Sequence, residues 1–76
     1  MKTIFVDLSN ISRIKKFAGI ISRYEGDFDI VQGKYTVDAK SIVGIFSLDL
    51  SKPVQLNIEV ENPDLQRELQ FFECGE

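Results

Sequence analysis

Histidine is absent from this chain of 76 residues, and its absence excludes more chemistry than any residue present suggests. Without an imidazole there is no ordinary general base near neutral pH, no Ser-His or Cys-His pair and no histidine-ligated metal site. Because most familiar hydrolase mechanisms use histidine, its absence excludes them. We therefore expect a protein that is not an enzyme and that carries no metal or other cofactor.

Cysteine is almost absent as well, because Cys74 is the only one in the chain. A single thiol cannot form an internal disulfide, and it rules out metal clusters that are built on several thiolates. We expect Cys74 to be a reduced thiol close to a frayed C-terminus.

Long apolar runs are missing too. No stretch approaches the roughly 18 apolar residues that a membrane helix requires, and residues 1–4 lead into a strand pattern rather than a signal-peptide core. The net charge is −3 with acids and bases interspersed, so nothing favours nucleic acid or an anionic membrane as a partner. The sequence predicts a cytoplasmic protein with a single domain over residues 1–76, in which 43% hydrophobic residues build one core.

Four stretches alternate apolar and polar residues with the period of a half-buried strand. They are residues 2–8, 27–32, 35–39 and 54–61. The second and third are separated by a turn at Gly33, so they are expected to form a hairpin. The fourth has the clearest alternation in the chain.

A first helix is predicted over residues 11–23, after the N-cap Asn10 and before a C-terminal stop at Gly26. Four cations keep part of its surface basic. A solvated helix face is the simpler interpretation of these cations, and a dedicated anion site is the alternative. The apolar residues at helical spacing are Ile11, Ile14, Phe17, Ala18, Ile21 and Tyr24, and the cations are Arg13, Lys15, Lys16 and Arg23.

The last helix is predicted to begin at Pro63, because Asn62 is a favourable N-cap and proline is favourable at the first helical position. Leu65, Leu69 and Phe72 form its inner stripe.

Between these helices, the strand that ends near Ala39 gives way to a serine and a short apolar helix. Ser41 is placed to accept a hydrogen bond from an early N–H of that helix, as an N-cap does. The apolar residues that follow cover both sides of a helix of about two turns, so some of them must be exposed. An exposed apolar patch beside a serine indicates a docking surface. The apolar residues are Ile42, Val43, Ile45, Phe46 and Leu48.

Ser41 is also a candidate for modification. A phosphoserine carries a charge of about −1.5 to −2, which would lie at the positive end of the helix dipole and beside the cation of Lys40. Phosphorylation would then change the surface without unfolding the protein. Plain N-capping is the structural alternative for this serine.

The predicted order is βαββαβα, an α+β arrangement of four strands covered by helices on one side. The pattern alone does not distinguish a ferredoxin-like strand order from other split βαβ arrangements.

Residues 39–48, AKSIVGIFSL, resemble the regulatory-serine segment of the histidine-containing phosphocarrier (HPr) family of the bacterial sugar phosphotransferase system. Residues 22–24, 36–38 and 61–64 support the resemblance in the same ungapped register. The resemblance implies an open-faced β-sandwich with the antiparallel strand order 1-4-2-3 and three helices on one face.

The resemblance fails where the family carries its phosphoryl group. The family opens its first helix with Gly-x-His-x-Arg-Pro, whereas residues 8–13 read LSNISR here. The register puts Asn10 at the histidine position and Ser12 at the arginine position. An asparagine cannot form a phosphoramidate, so N-capping is the favoured role of Asn10. In this register Arg13, one residue later, is the candidate to replace the lost cation in part.

The family's regulatory serine is phosphorylated by an ATP-dependent HPr kinase/phosphorylase, and the product acts as corepressor with the catabolite control protein. Some relatives without the histidine keep this serine and serve regulation alone. The resemblance implies that Ser41 is the phospho-acceptor of a regulatory protein whose partners are such a kinase and regulator. Two alternatives stay open: a carrier that uses another residue, and a protein-binding or self-associating module without covalent control. The expected partner-binding residues are Lys40, Ile42, Val43, Phe46 and Arg13.

Overall fold

The computed structural model describes residues 2–59 and 61–74 of the chain. Four strands and three helices follow one another in these residues in the order βαββαβα, which confirms the predicted order. The elements are β1 (Lys2–Val6), α1 (Ile11–Ser22), β2 (Phe28–Gln32), β3 (Tyr35–Asp38), α2 (Ile42–Phe46), β4 (Val54–Ile58) and α3 (Pro63–Leu69).

The strands form one sheet in the order β1-β4-β2-β3, and every neighbouring pair is antiparallel. This is the strand order that the resemblance implied and that periodicity alone left open. The register aligns Thr3, Asn57, Asp29 and Asp38 in one row across the four strands. Their alternation with buried neighbours places this row on the uncovered face of the sheet.

The core lies between the other face of the sheet and the helices. The alternation of the strands correctly assigned most of their inward residues, although Tyr35 of the third strand is 62% exposed. The helical spacing correctly assigned most of the helical ones. Burial of such side chains stabilises the fold by about 1.5–3 kcal/mol each. The buried residues are Ile4, Val6, Leu8, Phe28, Ile30, Ala39, Val54, Leu56 and Ile58 around the sheet, and Ile14, Phe17, Ala18, Ile21, Ile45, Leu48, Leu65, Leu69 and Phe72 from the helical side.

Several predicted boundaries and one predicted apolar position of a helix need correction. The first strand ends at Val6 rather than at residue 8, because the chain turns there toward α1 while Leu8 still enters the core. Ile11 is 58% exposed, since it lies in the first turn of α1 on the solvent side. The other differences are one to three residues at element ends, and Val60 of the predicted fourth strand lies outside the described residues.

All three helices begin at the polar side chains that the sequence predicted as N-caps. Asn10 Oδ1 accepts a hydrogen bond of 2.9 Å from the N–H of Arg13. Asn62 Oδ1 accepts one of 2.9 Å from the N–H of Asp64, and Ser41 caps α2. These bonds satisfy N–H groups that have no acceptor within the helix, so they fix where each helix starts.

The residues after α3 return to the sheet and cover the outer edge of β1. The N–H of Asp7 donates to Phe72 O at 2.8 Å, and the N–H of Cys74 donates to Phe5 O at 2.9 Å. This pairing satisfies part of an edge strand that would otherwise be open to other chains. It also places the C-terminal aromatic residues beside α1. In the described part of the chain, no helix is long and apolar enough to cross a membrane.

Candidate functional site

A tight turn joins β3 to α2 and places Ser41 at the mouth of the short helix. The N–H of Ser41 donates to Asp38 O at 3.0 Å, and the N–H of Lys40 donates to Asp38 Oδ1 at 2.8 Å. The N–H of Ala39 donates to Phe28 O at 2.8 Å, so the turn is also tied to β2. Asp38 therefore holds the backbone on both sides of the turn.

The hydroxyl of Ser41 is half-buried at this turn. Its Oγ accepts a hydrogen bond of 3.1 Å from the N–H of Gly44, and its carbonyl accepts one of 3.0 Å from the N–H of Ile45. Within residues 2–59 and 61–74 its hydroxyl proton has no acceptor. The oxygen thus lies at the surface end of α2, as the capping prediction requires, and not deep in the core.

The apolar residues of α2 divide between the core and solvent. Ile45 and Leu48 are buried, whereas Ile42 is 40% exposed, Val43 83% and Phe46 49%. We call the three exposed side chains the α2 patch. The expectation that this helix has too many apolar residues for one face is correct, and the patch directly follows Ser41 along the chain.

Gly44 lets α2 approach the sheet closely. A Cβ at this position would lie 3.2 Å from Val37 Cβ, which is closer than ordinary contact, and 3.4 Å from Ser41 Oγ. The absent side chain therefore allows the helix to sit against β3 while Ser41 keeps its cap.

The side chain of Lys40 contacts an aromatic ring of β2 and not the hydroxyl of Ser41. Its Nζ lies 5.5 Å from the centre of the Phe28 ring, a cation–π contact on a buried aromatic residue. The cation is next to Ser41 in the chain and is anchored over β2.

The start of α1 is a separate region that contains Asn10 and Arg13. Arg13 is directed at the C-terminal segment, where its guanidinium carbon lies 4.9 Å from the centre of the Phe71 ring. Hydrogen bonds from the hydroxyl and N–H of Ser9 lower the pKa of Asp7, and Arg13 lowers it further. Asn10 is occupied as a cap.

The structure adds Cys74 and Phe71 to the surroundings of Arg13. Burial raises the pKa of the Cys74 thiol, and the charge of Asp7 raises it further, which disfavours the thiolate. Phe71 is 63% exposed. No pattern in the sequence predicts this grouping, because the C-terminal residues reach α1 only through their pairing with β1. In the described ranges no three acidic or cysteine side chains could hold a metal ion together.

The fold and the capped α2 define an HPr-like open-faced β-sandwich. The family model PTS-HPr, described as the PTS HPr component phosphorylation site, matches residues 12–73. The chain therefore belongs to the HPr family, whose members are phosphocarriers of the phosphotransferase system that act with protein partners and are not catalysts. Ser41 lies inside the matched residues, and Asn10 lies outside them.

The solved structures that resemble this chain include two phosphocarrier-family proteins. HPr-C-His from Thermoanaerobacter tengcongensis has a TM-score of 0.75 and 24% identity, over 93% of this chain and 89% of that one. The phosphocarrier protein HPr from Bacillus anthracis str. Ames has a TM-score of 0.65 and 26% identity, over 93% of both chains. The similarity to the Thermoanaerobacter tengcongensis protein shows a shared fold only. No curated protein matches the chain.

Proposed function

We propose that this chain is a regulatory HPr-family protein that does not carry phosphohistidine, that Ser41 is its phospho-acceptor, and that the α2 patch docks its protein partner. The observation that carries the proposal is the placement of the Ser41 hydroxyl at the surface end of α2, directly before three exposed apolar side chains. A chain without histidine cannot perform the histidine chemistry of the family, so the serine is the position at which phosphorylation can still act.

The transfer needs little rearrangement of the protein. Ser41 Oγ would attack the γ-phosphorus of ATP bound to an HPr kinase/phosphorylase-like kinase. The new Oγ–P bond forms as the bond to the β,γ-bridging oxygen breaks, ADP leaves, and a base of the kinase takes the hydroxyl proton. The N–H of Gly44 already points at Oγ, and the N–H groups of Ile42 and Val43 have no acceptor within the helix, so the new oxygens would meet donors.

The docking step combines charge with apolar area. Phosphorylation adds a charge of about −1.5 to −2 at the edge of the α2 patch. A partner of the catabolite control type would bury Val43 and Phe46 and pair a cation with the phosphate. Lys40, next to Ser41 in the chain, is held over Phe28. Arg13, the other predicted partner-binding cation, lies against Phe71 at the start of α1 and is not part of the α2 patch.

Incubation with ATP and an HPr kinase/phosphorylase, followed by mass spectrometric location of the phosphate, tests the acceptor. We expect one phosphate on Ser41 in the wild type and in Ser47→Ala, and none in Ser41→Ala. Ser47 is the matched control because it lies at the other end of the same helix, where its Oγ donates to Gly44 O at 2.6 Å. Absence of phosphate from Ser41 in the wild type would contradict the proposal.

Val43→Glu tests the docking surface. Val43 is the most exposed residue of the α2 patch, so the substitution leaves the core unchanged while it places a negative charge beside Ser41. Binding of the phosphorylated protein to the regulator should be lost in Val43→Glu and retained in Thr36→Glu. Thr36→Glu is the control, because it adds the same negative charge on the uncovered face of the sheet.

A binding or self-associating module without covalent control is the second candidate, because the α2 patch is exposed in the unmodified protein. In that case Ser41→Ala would bind its partner, or a second copy, as tightly as the wild type does, and Val43→Glu would abolish binding. Phosphoryl uptake from enzyme I and phosphoenolpyruvate would instead identify a carrier that uses another residue.

A further inference from the structure

An apolar groove lies between α1 and the residues around the end of α3, and none of its lining residues belongs to the α2 patch. It forms a cavity of about 220 Å³ that opens to solvent, and its lining is mainly apolar. We call it the α1–C-terminal groove. Its lining residues are Lys16, Ile20, Glu68, Phe71 and Phe72.

Phe71 is the most exposed apolar side chain of the groove, and its ring packs against a buried aromatic residue. Its ring meets Phe72 edge to face, with 5.2 Å between ring centres and 88° between ring planes. Phe72 in turn meets Phe17 of the core at 5.8 Å. Phe71 nevertheless stays 63% exposed, so its ring presents apolar area to solvent while its edge-to-face contact ties it to the core. Such rigid aromatic side chains dominate protein interfaces because little conformational entropy is lost when they bind.

The charges of the groove are unequal. Lys16 Nζ lies 5.5 Å from the centre of the Phe71 ring, and within the described residues no carboxylate forms an ion pair with Lys16. Glu68, on the other wall, already accepts a 2.6 Å hydrogen bond from Arg23 Nη2 and another from the hydroxyl of Tyr24. The negative charge of the groove is therefore compensated and the positive charge is not.

The chain as a whole has a net charge of −3, yet α1 contains three cations and no acidic residue. The uncompensated charge beside the groove is thus a local property of this surface. It favours an anionic ligand, because opposite charges steer association and like charges oppose it.

The size of the groove favours one side chain of another protein over a free small molecule. Small-molecule pockets commonly enclose about 300–1,000 Å³ and bury most of the ligand, whereas this cavity is smaller and open. One aromatic or large aliphatic side chain from the surface of another protein is of a size that fits this groove. Side chains that insert into pockets in this way contribute much of the affinity of protein interfaces.

We propose that the α1–C-terminal groove is a second docking site, which binds an acidic protein segment. One aromatic or large aliphatic side chain of that segment packs against Ile20 and Phe71, and a neighbouring carboxylate pairs with Lys16. The site is independent of Ser41 and of the α2 patch, so it holds whether or not the protein is phosphorylated.

NMR titration of the ¹⁵N-labelled full chain with an acetylated, amidated pentapeptide, one phenylalanine flanked by glutamate pairs, tests the proposal. We expect shifts concentrated at residues 16–20 and 68–72. A peptide with alanine in place of phenylalanine, and one with lysines in place of the glutamates, should shift these amides much less. Shifts centred on the α2 patch, equal shifts with the lysine peptide, or phenylacetate binding as tightly as the acidic peptide would overturn the proposal.

Charge reversal at two adjacent lysines gives the matched comparison. Lys16→Glu should weaken peptide binding about 3- to 10-fold, the size expected for reversal of one exposed charge contact, and Lys15→Glu should weaken it much less. Lys15 is exposed on the same helix and does not line the groove. Phe71→Ala should abolish the shifts, and Phe46→Ala should leave them unchanged. Equal weakening by the two lysine variants would show attraction to α1 in general and refute a specific groove.

Discussion

Asp29 of β2 lies directly opposite Asp38 of β3 on the uncovered face of the sheet. Both side chains are exposed, and they share this row with Asn57 of β4. Like charges that face each other across antiparallel strands are destabilising, because their Cβ atoms lie only about 4.5–5.5 Å apart. The arrangement places electrostatic strain next to the turn that leads to Ser41, since Asp38 also holds that turn.

Asp29→Asn should therefore stabilise the protein by about 0.2–1 kcal/mol. The change keeps the shape of the side chain and leaves in place the hydrogen bond that the N–H of Lys40 donates to Asp38. Urea unfolding at low salt measures the effect, which should shrink at 1 M salt because the repulsion is then screened. Asp27→Asn removes the same charge next to the strand and serves as control. A stability gain as large in Asp27→Asn would contradict a specific cross-strand repulsion.

Gly44→Ala and Gly19→Ala should change stability in opposite directions. In a helix, alanine is favoured over glycine by about 0.8–1 kcal/mol. A Cβ at Gly19 meets nothing within 4 Å, so Gly19→Ala should gain this amount. A Cβ at Gly44 would lie 3.2 Å from Val37 Cβ, and overpacking typically costs about 1–3 kcal/mol, so Gly44→Ala should lose stability.

The unfolding temperatures of Gly44→Ala and Gly19→Ala, compared with that of the wild type, test these two opposite effects. A gain in Gly44→Ala equal to that in Gly19→Ala would show that α2 can move away from β3 at no cost.

Substitutions at Ser41 should separate its capping role from its proposed modification. Ser41→Ala removes the acceptor of the Gly44 N–H and should cost about 0.5–2 kcal/mol. Ser41→Asp keeps an acceptor and adds an anion at the start of the helix, so it should stabilise by about 0.3–1 kcal/mol. Chemical unfolding at neutral pH measures both, with Ser47→Ala as a control expected within about 0.5 kcal/mol of wild type. A clear loss in Ser41→Asp would mean that the start of α2 is misplaced.

The contact between Tyr24 and Glu68 should make stability depend on pH. The hydroxyl of Tyr24 donates to Glu68, which lowers the pKa of Glu68, and the Arg23 cation lowers it further. The same bond raises the pKa of Tyr24. The contribution of Glu68 is fully present above its ordinary pKa of 4.5 and is lost as the pH falls through its lower folded value. The contribution of Tyr24 to stability is fully present below its ordinary pKa of 10.0 and is lost as the pH rises through its higher folded pKa.

Tyr24→Phe should therefore be less stable than wild type near neutral pH, and the difference should shrink at both acidic and alkaline extremes. Urea midpoints measured across the pH range check this. Tyr35→Phe is the control, because Tyr35 is exposed and donates no side-chain hydrogen bond to the described residues. A difference between Tyr24→Phe and wild type that is the same below about pH 3 as at neutral pH would contradict the role of Glu68.

Much of the fold could be predicted because it depends on neighbours in the chain. The alternation of residues such as Val54, Leu56 and Ile58 identified the inward face of β4, since the side-chain period of a strand is two. Asn10 and Asn62 were identified as caps because the N–H groups that they satisfy lie two or three residues away. The strand order came from the family resemblance, since periodicity does not specify which strands pair.

The sequence by itself determined the elements, their caps, their inward faces and the loss of histidine chemistry, because each of these is local or compositional. Tertiary structure decided which apolar residues of α2 reach solvent, since that depends on how closely Gly44 lets the helix approach Val37. It also brought Asp29 opposite Asp38, and Phe71 beside Lys16. Asp29 and Asp38 meet through the register of the β2–β3 hairpin. Phe71 reaches Lys16 only when the C-terminal segment pairs with β1, a long-range contact that no short window of sequence contains.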